Sequence, residues 1–219
     1  MRTVALAGSV LALGLLAGSA STRAAIVLDQ SFLTGPPDGV QARIGVLPQI
    51  GAYRPYQSFT VGVAGTLDSV EVYIDKDGDP TEDVILEIVP GADPAGMALA
   101  SAVIASAQVP LVVGPLLVDL SAAGLAVAVG DSLAFRLSSL QDFSGNLNEY
   151  RAMGNGLGGY AAGTGGHLYP AQGSGPRDWD FYFRTFVDAG VPPIPEPGQI
   201  ALLGLGFAGI AGARLRRRR

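Results

Sequence analysis

Short runs of alternating apolar and polar residues, each cut off by glycine or proline, fill the middle of this 219-residue chain. Thr66 to Ile74 is the cleanest. Leu67, Val70, Val72 and Ile74 are apolar, and Asp68, Glu71 and Tyr73 take most of the places between. Tyr56 to Val61, Val84 to Val89, Asp131 to Leu137 and Asp180 to Val187 repeat the pattern. A period of two sends successive side chains to opposite faces of a strand, so these runs predict strands with one face inward. Gly62-Val-Ala-Gly65, Gly78-Asp-Pro80, Pro90-Gly91 and Gly130-Asp131 supply turns. Ala98 to Ala107 suits a helix by propensity and a strand facing a tight interior by content; strand is preferred. Strands at this spacing imply an all-β fold, a sandwich or a barrel. The 31 Gly and 15 Pro agree, since they favour many turns and few long helices.

Both ends of the chain differ from its middle. Arg2 opens it, Val4 to Ala17 is uncharged and apolar or small, and Gly18, Ser19, Ala20 and Ser21 follow. That order is a secretory signal peptide, over residues 1–25. Cleavage after Ala20, Ser21 or Ala24 leaves small residues at the required positions; a retained anchor is the alternative, although the stretch is short for a membrane span. At the other end, Gln199 to Ala213 is uncharged. As a transmembrane helix it would be about 22 Å long, against a hydrocarbon core of about 30 Å. Arg214, Arg216, Arg217, Arg218 and Arg219 come next. Such a cluster stays cytoplasmic, so the domain before it is expected outside the membrane. Gly204, Ala208 and Gly212 fall four apart, as a close helix contact or by chance in a Gly-rich segment.

Between residues 26 and 213, seven cations face all 19 acids, a net charge of −12. An acidic body repels phosphate backbones, so nucleic acid is not an expected partner. The chain has no Cys and one His, which excludes disulfides, thiolate zinc sites, cysteine nucleophiles and multi-histidine metal sites. Residues 26–190 are the size of one domain. Residues 191–198, Val-Pro-Pro-Ile-Pro-Glu-Pro-Gly, form an extended linker, because proline fixes φ and blocks helix.

Pro195-Glu196-Pro197, a short apolar segment at 199–213 and an Arg cluster at 214–219 together resemble the PEP-CTERM sorting signal of exported bacterial proteins. The resemblance implies that Pro195, Glu196 and Pro197 are recognised by an exosortase-type membrane enzyme, which cuts near the motif. They would be substrate, not catalyst. It also implies a membrane-anchored precursor held transiently in the inner membrane, then delivery to the cell surface or extracellular matrix, in company with exopolysaccharide. A plain tail anchor with a proline linker is the alternative. Gln57 to Ile74, Gly130-Asp131-Ser-Leu-Ala, the following Gly/Tyr-rich stretch and Phe181 to Val187 are similar to exported choice-of-anchor domains. That resemblance implies a single jelly-roll-like β-sandwich and brings no catalytic residues.

Three groups of residues are candidate sites. Asp75, Asp77, Asp79, Glu82 and Asp83 crowd one turn, where carboxylates at alternate positions can converge on Ca²⁺. The pattern departs from an EF-hand: Gly78 comes early, Pro80 stands where glycine is required, and Leu86 replaces the closing Glu. A solvated acidic turn is the alternative, and no other cofactor is expected. Gly154 to Gly175 holds nine Gly and is expected to be a long loop. It lacks the helix and Lys of a phosphate loop. Tyr150, Tyr160, Tyr169 and Trp179 lie in or beside it, and aromatic faces stack on sugar rings, so they form a candidate glycan contact. The alternative is that they close the core. His167, alone in this loop, is expected to be exposed. No Gly-x-Ser-x-Gly elbow is present, so no enzyme is expected. The function expected is a surface or matrix protein that binds exopolysaccharide; the alternative is an exported hydrolase of such polymers, built on a carboxylate pair.

Overall fold

The computed structural model describes residues 25–33, 40–144, 148–169, 175–177 and 179–190. Its class is all-β. In chain order the strands are β1 (Ile26–Phe32), β2 (Val40–Leu47), β3 (Gly51–Thr60), β4 (Gly65–Asp77) and β5 (Val84–Pro90). Then come β6 (Ala100–Ile104), β7 (Gly114–Asp119), β8 (Ala126–Val127), β9 (Ser132–Ser139) and β10 (Glu149–Asn155). β11 (Gly165–Leu168), β12 (Gly175–Pro176), β13 (Asp180–Phe181) and β14 (Phe183–Asp188) complete the set, with 3-10 turns at Ser106–Gln108 and Ser121–Ala123.

Each run of alternation falls on a strand, except that Asp180 to Val187 is divided at Tyr182 between β13 and β14. Leu67, Val70, Val72 and Ile74 are all buried in β4. Their one irregular step, from 67 to 70, coincides with a register shift. Val187 of β14 faces Leu67 and Phe186 faces Ser69, so Asp68 is the extra residue. An extra residue in one strand restores the inward phase of everything beyond it. The freed carbonyl of Asp68 accepts a hydrogen bond from Leu120 N–H. Ala100–Ile104 is a strand, as preferred, and pairs antiparallel with β5. The stretch from 154 to 175 is not one loop. β10 runs to Asn155, and Gly165–Leu168 forms β11 against β3.

The strands join in one open sheet in the order β1-β14-β4-β10-β2-β3-β9-β5-β6. β14 and β3 are four steps apart on that path, about 19 Å in a flat sheet. Yet the Phe183 ring of β14 lies 6.0 Å from Phe59 of β3 and 5.6 Å from Phe135 of β9. The sheet is therefore folded back on itself, and its core is the space between its halves. Phe59, Leu67, Ile74, Leu86, Ile88 and Phe183 are each fully buried there.

The fold is made in β2. Its residues up to Ile44 pair with β10, and Gly45 to Leu47 pair with β3. Gly45 has φ of +147°, and a Cβ on it would lie 2.4 Å from the Gln141 carbonyl oxygen and 2.9 Å from the Phe143 ring. Only glycine meets both conditions. At the far end, Ala189 N–H donates to the Ala25 carbonyl and Ile26 pairs with Asp188, so the body's two ends leave side by side. Among the described residues no helix is long and apolar enough to cross a membrane. The expected signal peptide and the 199–213 helix lie outside the described residues.

Gly45→Ala should lower stability by roughly 2 kcal/mol or more, from backbone strain plus overlap. Gly175→Ala, where nothing lies within 4 Å of the added Cβ, should change the thermal midpoint little. Circular-dichroism melts of the two variants check this, and equal midpoints would refute it.

Candidate functional site

The outer face of β3, β9 and β5 carries a groove of about 270 Å³. Register builds it. Tyr56 faces Arg136, and Arg136 faces Glu87. One step along the same face, Ser138 sits opposite Ile85, and Ile85 opposite Val103 of β6. Arg54, Ile85, Glu87, Arg136, Ser138 and Leu140 line the cavity. Arg136 is locked. Its Nε donates to Glu87 Oε2 at 2.7 Å and its Nη2 to Oε1 at 3.1 Å. Its Nη1 donates to the carbonyls of Pro94 at 3.0 Å and Gly96 at 2.8 Å. These bonds draw the 91–98 turn toward this end of the face. The Arg136 hydrogen bonds, outweighing the cost of burial, hold the Glu87 carboxyl below its usual range, with a further contribution from Arg54.

A second cluster surrounds His167 on β11. Its ring stacks on Tyr169 at 5.1 Å and 11°. Trp179 meets it edge-on at 4.7 Å, and Phe181 at 6.1 Å. Tyr53 closes on Tyr169 at 4.4 Å, and the Arg177 guanidinium lies 6.0 Å from the Trp179 ring. His167 is 2% exposed, and among the described residues neither ring nitrogen has a hydrogen-bond partner. The expectation of an exposed His is thus corrected: the chain around it is a paired strand, and the aromatic rings cover it. Burial, assisted by the Arg177 charge, pushes its pKa down from 6.5 to about 4.

The four aromatic residues expected to touch glycan do not form one surface. Tyr150 is withdrawn from it. Its side chain is fully buried and its hydroxyl donates to the Glu82 carbonyl at 2.5 Å. Tyr160 is half-buried and belongs to the core rim. It packs on Phe32 and Phe183, its hydroxyl donates to Gln30 Oε1 at 2.9 Å, and burial pushes its pKa up to about 12. Tyr169 and Trp179 come together across His167 and stay partly exposed.

The five carboxylates of the acidic stretch are spread out. Asp75 belongs to β4, is buried, and accepts two hydrogen bonds from Arg151, at 2.9 Å from Nε and 2.7 Å from Nη2. Asp77 lies 3.6 Å from the same guanidinium. Asp79 is fixed through its backbone N–H, which donates to Asn148 Oδ1. The Glu82 N–H donates to Gln141 Oε1, and Asp83 Oδ1 accepts from Ser106 N–H at 3.0 Å. Among the described residues no three acidic or histidine side chains are placed to hold a metal ion. Arg151 of β10, which pairs with Asp75 of β4, is invisible in a local motif.

Residues 193–218 match the family described as the PEP-CTERM protein-sorting motif. The chain carries a PEP-CTERM signal. The match covers Pro195, Glu196, Pro197 and Arg214 and Arg216 to Arg218; Arg219 lies one residue beyond. All of these are outside the described residues. A PEP-CTERM motif is the recognition signal of an exosortase and marks an exported, membrane-anchored precursor sorted to the cell surface. No curated protein matches this chain.

His167 gives the body an acid-sensitive point. The unfolded chain takes up its proton near pH 6.5, the folded one only near 4. Stability is therefore complete above pH 6.5 and falls as pH drops toward 4, by about 3 kcal/mol from this group. His167→Phe keeps the aromatic packing and should remove that part of the slope. Urea unfolding at pH 7 and pH 4.5 measures it; an unchanged difference between wild type and variant would count against this account.

Proposed function

We propose that this chain is an exported bacterial surface or extracellular-matrix protein whose acidic body binds exopolysaccharide. The PEP-CTERM match at 193–218 carries the reading. In it, residues 1–25 are a signal peptide removed on export, 26–190 are the binding domain, 191–198 are the linker that exosortase reads, and 199–213 with 214–219 hold the precursor in the inner membrane. The adjacency of Ala25 and Ala189 supports this layout. Both membrane-directed ends leave the body at one point, so a folded body can coexist with either segment in the bilayer.

The folded-back sheet we take to be a jelly-roll-like β-sandwich of the choice-of-anchor type. The antiparallel ladders and the ring contacts between its halves support that. Tyr169 and Trp179, which meet across His167, are the aromatic residues offered to sugar. The domain is a binder and not a hydrolase on this reading. Incubating the protein with host exopolysaccharide separates the two: retention without chain shortening supports the binder, and shortening supports the hydrolase.

In the native host, a C-terminally tagged wild-type protein should lose its tag, and mass spectrometry of the mature protein should find its new end near Pro195. Glu196→Ala should keep the tag and leave the full-length precursor in the membrane fraction. Normal processing of Glu196→Ala would argue against exosortase recognition.

Trp179→Ala should weaken retention of the protein on host exopolysaccharide about tenfold, from loss of one stacking surface, and lower the thermal midpoint, since the ring also covers His167 and packs on the core. An unchanged far-UV circular-dichroism spectrum shows that the variant is folded at the assay temperature. Unchanged retention in a folded variant would move the glycan contact elsewhere.

A further inference from the structure

We infer that the groove on the outer face of β3, β9 and β5 binds a carboxylate-bearing sugar polymer, with Arg54 as the residue that takes the carboxylate. This rests on the exopolysaccharide reading and names a ligand class and a site for it.

The two arginines of the groove are in opposite states. Four of the five N–H donors of Arg136 are engaged, and its charge is paired with Glu87. Arg136 is thus part of the frame. Arg54 lines the same cavity, is exposed, and has no ion pair or hydrogen bond among the described residues. Its charge acts on Glu87, which Arg136 already holds by hydrogen bonds. In a stretch, 26–213, with a net charge of −12, a strand guanidinium with no ion-paired carboxylate of its own stands out. Each other strand arginine has one: Arg43 with Glu149, Arg136 with Glu87, Arg151 with Asp75 and Arg184 with Glu71.

The surroundings choose the ligand. A guanidinium presents a planar fork of donors that fits a carboxylate with two parallel hydrogen bonds. Beside it, Ser138 offers a hydroxyl, and the Glu87 oxygens keep lone pairs for sugar hydroxyls beyond those used by Arg136. Ile85, Val103 and Leu140 are 37%, 64% and 77% exposed and supply an apolar strip for the C–H face of a ring. An anion fork, hydroxyl partners and an apolar floor together describe a uronic-acid unit. At about 270 Å³ the groove is slightly below the roughly 300–1,000 Å³ of enclosed small-molecule sites. It suits a polymer laid along a sheet face.

The test uses the full chain in mild detergent and affinity electrophoresis through gels containing polygalacturonate, its methyl ester, or dextran. Wild type should be retarded by polygalacturonate, and about tenfold less by the ester. Arg54→Gln should weaken the polygalacturonate interaction about tenfold with a thermal midpoint within a degree or two of wild type, because Arg54 makes no hydrogen bond or ion pair among the described residues and only its exposed, screened charge acts on Glu87. Arg54→Lys should restore part of the effect, since it returns the charge without the fork. Equal retardation by acid and ester, or an Arg54→Gln affinity within twofold of wild type, overturns the inference. Two results separate it from the wider reading. Binding to dextran or host polymer that Arg54→Gln leaves intact and Trp179→Ala removes defeats the groove and keeps exopolysaccharide binding. Absence of binding to every polymer, host exopolysaccharide included, defeats both.

Discussion

A single sheet can bury its apolar face only by turning back on itself, and here the turn depends on one strand changing partners. β2 belongs to β10 through Ile44 and to β3 from Gly45 onward. The carbonyl of Gln141 and the ring of Phe143 press against Gly45 at the point of exchange. Val46 N–H donates to that same Gln141 carbonyl, and Phe143 N–H donates to the Val46 carbonyl. The corner is thereby held by backbone hydrogen bonds and cannot drift by a residue. Contact between Phe183 and both Phe59 and Phe135 follows from it. So does the outer groove, since β3 brings Arg54 beside β9 and β5 only after the corner.

Polar groups then fix how the halves sit on one another. Gln57 of β3 is fully buried and reaches β13, donating to Asp180 Oδ1 at 3.0 Å and accepting from Phe181 N–H at 2.8 Å. Asp180 Oδ2 accepts from Tyr160 N–H at 2.9 Å. Strands from different parts of the chain are thus joined by charge-assisted bonds in a dry setting, where an unmade bond is costly. Hydrophobic contact alone permits sliding between the halves; this network does not. His167 stands nearby as the opposite case, a ring buried with no hydrogen-bond partner among the described residues and neutral at ordinary pH.

The strands were legible where burial is one-sided. In β4 even the register shift at Asp68 shows in the sequence, as the three-residue step between Leu67 and Val70. β10 and β11 were not legible. Tyr150, Ala152 and Met153 are buried on both sides of their strand, so no alternation marks them, and glycines that permit close approach read as loop. Gly165 and Gly166 are small because Trp179 and Tyr56 crowd them, not because the chain is open there. The surroundings of the acidic turn were hidden for a related reason. Asp75 and Arg151 are 76 residues apart in sequence and meet only through the β4–β10 ladder. The state of Arg54 has the same origin. Seven cations in an acidic body give no hint of which one lacks a partner until the register is known.

The geometry also orients the body. β4 opens at Gly65, whose neighbour Thr66 pairs with Asp188, and Asp188 pairs with Ile26. The chain therefore enters and leaves beside the 61–64 turn that ends β3. Arg54 lies six residues back from Thr60, about 20 Å away along an extended strand. The groove therefore lies at the end of β3 remote from Ala25 and Ala189, near which the described body begins and ends. The exposed apolar strip of Ile85, Val103 and Leu140 is a costly feature for a face turned to water. Core packing supplies no reason for it, since all three side chains point away from the space between the halves of the sheet.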